Sequence, residues 1–264
     1  MTSTMDPDQV AHWADYLLDA ADTRTEVDPI TGTVPELTTE DAYEIQAALV
    51  ARRVGRGERI VGAKLGLTSR AKQEQMGVDQ PVYGWITEPS VLGAEDPVVL
   101  DDLIHPRCEP ELVFIMGEDL EGTDITRWDV LEATARVVGG IEIIDSRYKA
   151  FSFTLTDVIA DNTSAARVAI GQAGRAPSEL DLRLEGCVLE VDGDAVATAA
   201  GAALLGDPAG CVAMLANHLG RRGQKLEKGW IVMAGSLTDA QPLAAGTVAT
   251  ASYGHLSAVT VRAR

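Results

Sequence analysis

Two acidic side chains in the segment CEPELVF, Glu109 and Glu111, stand at the start of an apolar run. In an extended strand the side chains alternate between faces, so both carboxylates point the same way and repel each other unless a cation lies between them. A third glutamate, Glu142, lies inside the apolar run GGIEIID. Oxygen ligands suit Mg²⁺ or Mn²⁺, and burying several carboxylates without a cation is costly. Together the three predict a divalent metal site, although each alone could be an ion-paired residue at a strand edge.

Lys64 is a further candidate for chemistry, because it lies between Gly62 and Gly66 in the apolar segment VGAKLGLTS. A lysine in this setting could place a cation near a bound anion or donate a proton. It could also be an edge residue that extends its charged end into water. The histidines show no metal-ligand spacing and no GxSxG segment is present, so zinc and serine-triad chemistries fit poorly.

The elements that must position these side chains follow from the patterning. Helices are predicted over 8–24, 39–56, 69–76, 126–138 and 208–220, and short apolar runs separated by Gly, Pro and Asp predict strands after about residue 58. Asp192-Gly193 predicts a two-residue hairpin turn. Many short strands with few crossover helices favour a mixed, mostly antiparallel sheet in an α+β fold, and no GxGxxG or Walker A segment indicates a nucleotide site.

Composition excludes several classes of function. The 264 residues include 40 acidic and 22 basic side chains, and the net charge of −18 argues against nucleic acid as a partner. No apolar run approaches the roughly 20 residues that span a bilayer, and the first residues resemble an amphipathic helix rather than a signal peptide. We therefore expect a cytoplasmic protein without a membrane partner. The three cysteines are far apart and are expected to be buried small hydrophobic residues.

Five segments resemble the hydratase/decarboxylase branch of the fumarylacetoacetate hydrolase superfamily: KLGLTSRAKQEQMGVDQPVYG, HPRCEPELVF, EIIDSRY, ADNTSAARVAIG and GAALLGDPAGCVAMLANHLGRRGQKLEKGWIVMAGSLT. The resemblance runs from about residue 40 to the end of the chain. It implies a mixed β-roll or barrel core (residues 58–264) preceded by a helical segment (residues 1–57). It also implies a Mg²⁺ or Mn²⁺ ion that binds the 2-oxo acid end of a small-molecule substrate from the meta-cleavage of aromatic compounds.

The resemblance also assigns roles to individual residues. It implies metal ligands at Glu109, Glu111 and Glu142, catalytic residues at Lys64 and Asp79, and substrate-binding residues at Tyr83, Asp161, Asn162 and Ser164. Two positions depart from the family pattern. Pro110 replaces a small or β-branched residue between two ligands, and Ala234 stands where many relatives carry Thr or Pro.

Within the branch, the segments DSRYKAFSFTLTDVIADN, AAGAALLGDP and VAMLANHLGRRG resemble the decarboxylases, whereas GSLT resembles some hydratases. The expected activity is metal-dependent decarboxylation of 2-oxo-3-hexenedioate, and the alternative is hydration of 2-hydroxypenta-2,4-dienoate. A homo-oligomer and a complex with a paralogous hydratase are the open alternatives for assembly. Phe151 and Phe153, if their segment is extended, would share a face and form an apolar wall for the distal carboxylate; otherwise they are ordinary core aromatics.

Overall fold

The computed structural model describes residues 5–78 and 80–264. Two helices open the chain, α1 (Pro7–Thr23) and α2 (Thr39–Gly55), and their bounds confirm the two predicted helices to within one residue. Helix α1 begins at Pro7 after the N-cap Asp6, and Thr38 with Asp41 forms a capping box for α2. Among the described residues, no helix combines the length and the hydropathy that crossing a membrane requires.

Short helices and strands make up the remainder of the described chain. The helices are α3 (Arg70–Met76), α4 (Arg127–Ala133), α5 (Leu155–Ala160) and α6 (Pro208–Arg221). The strands are β1 (Ile60–Gly66), β2 (Val82–Thr87), β3 (Arg107–Met116), β4 (Thr134–Ile144), β5 (Ala165–Ile170), β6 (Gly186–Val191), β7 (Asp194–Ala200), β8 (Ile231–Ser236), β9 (Gln241–Pro242), β10 (Val248–Tyr253) and β11 (Val259–Arg262).

The strands form two sheets. The large sheet has the order β2-β1-β8-β3-β4-β5, with β9 paired to the start of β3, and the small sheet has the order β11-β10-β6-β7. Strand β8 runs parallel to β1, and the other ladders between these strands are antiparallel. The turn at Asp192 and Gly193 joins β6 to β7 with φ of 53° and 90°, as a two-residue hairpin requires. The predicted α+β class with a mixed, mostly antiparallel core is confirmed.

The helix predicted over 126–138 is too long. It begins as expected at the N-cap Thr126, but it ends at Ala133, and β4 starts at the next residue. The segment TARVV contains β-branched residues, which favour strands, and Val138 pairs directly with Val113 of β3. The tertiary pairing therefore overrides the helical pattern of the preceding residues.

The large sheet separates two layers of side chains. Its outer face joins the helices in the principal core, where Leu112 and Phe114 of β3 are fully buried together with Leu17 of α1 and Ile45 of α2. Its inner face carries a smaller group, the inner cluster, made of Ile86, Val113, Val138, Val168 and Met233. The helices of residues 1–57 and the sheet thus share one core, and the division at residue 57 stays a prediction.

Candidate active site

The three predicted metal ligands meet on the inner face of the large sheet. In the β3–β4 ladder Glu109 lies directly opposite Glu142, and Glu111 lies opposite Gly140 on the same face. One carboxylate oxygen from each glutamate lies within 4.8 Å of the other two, and all three residues are buried. Like charges directly across an antiparallel ladder destabilise a sheet, so this arrangement needs a compensating cation.

The electrostatics of Glu111 and Glu142 point to the same requirement. Burial, together with the charge of Glu142, raises the pKa of Glu111 well above its ordinary value, against the opposing effect of Lys64. Burial also raises the pKa of Glu142, and Lys64 again opposes the shift. Glu111 Oε2 accepts a hydrogen bond of 2.7 Å from the backbone N–H of Gly235. Glu111 Oε1 and Glu142 Oε1 have no hydrogen-bond partner in the described part of the chain. Buried oxygens without donors fit a hard divalent cation.

Lys64 lies beside the glutamates and is almost fully buried. Its neighbours in β1, Ala63 and Leu65, belong to the principal core, so strand alternation directs Lys64 to the inner face. Its Nζ is 3.1 Å from Glu142 Oε2 and donates a hydrogen bond of 2.9 Å to the carbonyl oxygen of Thr163. Because β1 lies between β2 and β8, Lys64 is not an edge residue.

A strained turn, Asn162–Ser164, supplies the carbonyl that Lys64 contacts. Its three residues have φ of 48°, 54° and 55°, a left-handed conformation that is costly for non-glycine residues and most of all for the β-branched Thr163. The Asn162 side chain fixes the turn, since its amide oxygen accepts from the N–H of Trp85 at 2.8 Å and its amide nitrogen donates to the Trp85 carbonyl at 2.9 Å. Gly84 permits this close approach, because a Cβ there would lie 2.4 Å from the Asn162 carbonyl oxygen.

A cavity of about 160 Å³ opens beside Lys64 and Glu109. Its other lining residues are mostly apolar or small: Leu65, Gly66, Leu67, Thr68, Lys72, Val82, Ile144, Phe151, Phe153, Val158, Thr163, Ser164 and Ser236. The rings of Phe151 and Phe153 are 5.8 Å apart between centroids, so both belong to one wall. The segment is not extended, however: Lys149–Phe151 is a single 3₁₀ turn, with left-handed φ of 55° at Ala150 and 56° at Phe151.

Three of the remaining predicted site residues occupy different settings. Ser164 lines the cavity, and its Oγ has no hydrogen-bond partner among the described residues. Asn162 is used in fixing the turn, as described above. Asp161 is fully buried and accepts from the Arg147 guanidinium. Burial raises the pKa of Asp161 to about 6 against the opposing charge of Arg147. Asp79 lies outside the described residues.

The structure does not bring the Tyr83 ring to the cavity. In β2 the neighbouring Val82 lines the cavity, so alternation turns Tyr83 to the opposite face of the sheet. There its ring stacks on Tyr43 of α2, with centroids 4.9 Å apart, and contacts His218 of α6. Burial raises the pKa of the Tyr83 hydroxyl to about 12. Tyr83 thus joins the helices to the back of the sheet that carries the site.

Both departures from the family pattern point away from the cavity. Pro110 lies between Glu109 and Glu111 in β3, so its ring faces the outer side while the two glutamates keep their common face. Ala234 is fully buried in the principal core. The site geometry is therefore compatible with both residues.

Lys72 is a cavity residue that the sequence did not indicate. It lies on α3, whose N-cap Ser69 accepts from the Lys72 N–H, and its Nζ is 3.4 Å from Glu109 Oε1. The available signal was the capping serine, which marks the start of a helix. That signal does not say which face of a two-turn helix will lie over the glutamates.

Comparison with known proteins agrees with this geometry. The sequence matches no protein-family model. It is 39% identical over 262 residues to the 4-oxalocrotonate decarboxylase of Pseudomonas sp. (strain CF600), with 99% of both chains covered. It is 38% identical over 220 residues to a 2-hydroxypent-2,4-dienoate hydratase of Pseudomonas putida, with 83% of this chain and 99% of the hydratase covered.

A solved structure covers the whole chain. The 4-oxalocrotonate decarboxylase from Pseudomonas putida G7, complexed with magnesium and adipate, is 38% identical and matches with a TM-score of 0.97 over 100% of both chains. Close identity along the full length and a shared fold confirm the resemblance seen in the sequence segments. The chain belongs to the hydratase/decarboxylase branch of the fumarylacetoacetate hydrolase superfamily.

Proposed function

We propose that this chain is a Mg²⁺- or Mn²⁺-dependent carbon–carbon lyase of aromatic meta-cleavage catabolism. It converts 2-oxo-3-hexenedioate (4-oxalocrotonate) to 2-hydroxypenta-2,4-dienoate and CO₂. The observation that carries the proposal is the convergence of three buried glutamate oxygens, within 4.8 Å of one another, beside a cavity that holds Lys64 and an aromatic wall. The full-length identity to 4-oxalocrotonate decarboxylases supports the choice of reaction.

Two groups of residues have separate roles: the glutamates bind the ion, and Lys64 supplies a positive charge. Glu109, Glu111 and Glu142 hold the divalent ion, which when bound supplies a Lewis acid for the 2-oxo acid end of the substrate. Lys64 is held in place by Thr163 and Glu142. Its ammonium group adds positive charge where negative charge develops, and such preorganised charge is the largest catalytic contribution in many enzymes.

The reaction breaks the bond between C5 and C6 of the substrate. The electron pair of that bond passes through the C3–C4 double bond to the oxygen on C2, C6 leaves as CO₂, and one proton taken up by that oxygen completes the dienol. Lys64 Nζ is the group that we assign to deliver this proton. The protein therefore needs no nucleophile, and Lys64 forms no covalent bond with the substrate.

The aromatic wall acts at the other end of the substrate. Phe151 and Phe153 present rings rather than hydrogen-bond donors to the cavity. A carboxylate beside apolar groups loses hydration, and loss of a charged carboxylate as neutral CO₂ relieves that cost. The wall thus favours departure of the distal carboxylate once it is bound.

In the test, the purified protein and Mg²⁺ are incubated with 2-oxo-3-hexenedioate and, separately, with 2-hydroxypenta-2,4-dienoate. We expect release of CO₂ from the first compound and little conversion of the second to 4-hydroxy-2-oxopentanoate. Rapid hydration of the dienoate with no CO₂ from the dicarboxylate would assign the chain to the hydratase activity of its other relatives. A borohydride treatment during turnover should leave Lys64 unmodified in the mass spectrum.

The cellular setting is part of the same proposal. We assign the protein to the cytoplasm, where it forms either a homo-oligomer or a complex with a paralogous hydratase that consumes the dienol. The support for a hydratase partner is chemical, because the dienol product tautomerises to its keto form unless the next enzyme receives it promptly. Size-exclusion chromatography with and without such a hydratase tests the assembly.

A further inference from the structure

Arg107 lies on the cavity face of β3, outside the group of metal ligands. It precedes Glu109 by two residues and lies directly opposite Ile144 in the β3–β4 ladder. Strand alternation places Arg107 on the face of Glu109 and Glu111, and Ile144, its cross-strand partner, lines the cavity. Arg107 therefore lies on the cavity side of β3, beside a residue that lines the cavity.

The Arg107 guanidinium is held there without a carboxylate. Its Cζ lies 4.3 Å from the centroid of the Phe151 ring, a cation–π contact with one of the two rings of the cavity wall. Within the described part of the chain the guanidinium makes no ion pair and no hydrogen bond, although the side chain is half-buried. The nearby Glu26 carboxylate is engaged elsewhere, with the Ala150 N–H and with His105. A preoriented guanidinium with free donors is suited to bind a carboxylate in a bidentate manner.

The spacing along the strand matches a ligand of defined length. Residues two apart in a strand are separated by roughly 6.6 Å. A six-carbon diacid with bonds of about 1.5 Å spans roughly 6 Å between its end carbons. A diacid held by the glutamate site at one end would bring its other carboxylate to the level of Arg107.

We propose that Arg107 is the residue that selects dicarboxylates, by binding the distal carboxylate of the substrate at the edge of the Phe151 ring. This inference rests on the proposed function. Because the guanidinium contacts the carboxylate in the bound substrate and must release it as CO₂ forms, Arg107 contributes to substrate binding and not to the bond-breaking step. Its loss raises KM and does not lower kcat, because a contact that weakens as CO₂ forms stabilises the bound substrate more than the transition state.

The test measures binding by calorimetry with the Mg²⁺-loaded protein and two unreactive probes, adipate and hexanoate, which differ only in the second carboxylate. Arg107→Met keeps the aliphatic contact with Phe151 and removes the charge. We expect it to weaken adipate binding by roughly tenfold or more and to leave hexanoate unchanged. Arg107→Lys keeps the charge but loses the planar guanidinium group, so its affinity for adipate should lie between those of wild type and Arg107→Met. In the turnover assay, the Arg107→Met change should appear in KM.

Two matched variants complete the design. Arg167→Met removes an arginine whose partner in the β4–β5 ladder is Ile143, on the opposite face of the sheet, and should leave the preference for adipate intact. Lys72→Met removes a cation that lines the cavity, with its Nζ 3.4 Å from Glu109 Oε1. Loss of the adipate preference in Lys72→Met and not in Arg107→Met overturns the inference, as does an equal loss of both probes in Arg107→Met. A wild-type protein that binds adipate no better than hexanoate instead argues against the proposed decarboxylase function itself.

Discussion

Replacing Glu111 by Gln should stabilise the metal-free protein while abolishing its response to metal. Glu111 is fully buried, faces the carboxylate of Glu142, and accepts from the Gly235 N–H. A glutamine keeps that hydrogen bond through its amide oxygen, and its NH₂ group can donate to Glu142. The change thus converts a repulsion into an attraction when no cation is present.

The magnitudes follow from the size of the chain and from the position of the pair. Glu111 and Glu142 are diagonal neighbours across the β3–β4 ladder, and removing their like-charge contact is worth up to about 1 kcal/mol. With an unfolding entropy of about 2.1 cal/mol/K per residue, 1 kcal/mol changes the Tm of a chain of this length by about 2 °C. With Mg²⁺ at one hundred times its Kd, the free energy of unfolding of the wild type rises by about 2.7 kcal/mol, and its Tm rises by about 5 °C. We therefore expect Glu111→Gln to melt about 2 °C higher than wild type in EDTA and to show no increase on adding Mg²⁺.

Differential scanning calorimetry in EDTA and in excess Mg²⁺ measures both effects. Glu132→Gln on the exposed side of α4 is the control, since it removes the same charge far from the three glutamates and should retain the full Mg²⁺ response. A Glu111→Gln protein that melts lower in EDTA, or that still gains about 5 °C with Mg²⁺, would refute the assignment of Glu111 as a ligand. Turnover should be lost in this variant at any Mg²⁺ concentration.

Four further outcomes are expected. Lys64→Met should lower kcat by about 100-fold, equivalent to roughly 3 kcal/mol of transition-state stabilisation, and a variant that loses only affinity would make Lys64 a docking residue. Phe151→Asn should slow CO₂ release more than it weakens binding of a 2-oxo monoacid, as single-turnover and equilibrium measurements can show. Gly84→Ala should destabilise the protein by about 1–3 kcal/mol in denaturant titrations, because its Cβ would press on the Asn162 carbonyl; an unchanged midpoint would contradict that contact. Burial lowers the pKa of His218 from its ordinary value of 6.5 to about 4. Between pH 6.5 and pH 4 the unfolded chain therefore binds more protons than the folded chain, and the free energy of unfolding should fall as the pH drops through this range. His218→Gln should flatten that slope in denaturant titrations at several pH values.

The sequence predicted those parts of the site that depend on local alternation. Glu109 and Glu111 share a face in any extended strand, and Glu142 had the apolar neighbours of a buried strand, so the cluster followed without knowledge of the sheet order. The face of the sheet on which Tyr83 lies could not be predicted in this way. It depends on the β1–β2 register, in which Lys64 pairs with Gly84. Only that pairing shows that Tyr83 and Lys64 lie on opposite sides.

Features set by tertiary packing could not be predicted in the same way. The contact of Lys72 with Glu109 depends on how α3 folds over the sheet, and the left-handed backbone at Phe151 decides against the extended alternative for its segment. The end of α4 was decided by pairing of the following residues with β3 rather than by helix propensity. The catalytic and substrate-binding roles of the predicted residues remain proposals.

The insertion of β8 between β1 and β3 has a consequence for the biosynthesis of the protein. During translation, β1 and β3 leave the ribosome long before Ile231–Ser236, and until then each strand lacks its final neighbour on one edge. Pairings between distant parts of a chain form slowly, and unpaired strand edges promote aggregation in the interval. The Gly235 N–H that orients Glu111 also arrives with β8. A nascent or truncated chain that lacks this strand can pair β3 with β4 but has no Gly235 N–H to orient Glu111, so tight metal capture would report that synthesis has passed β8.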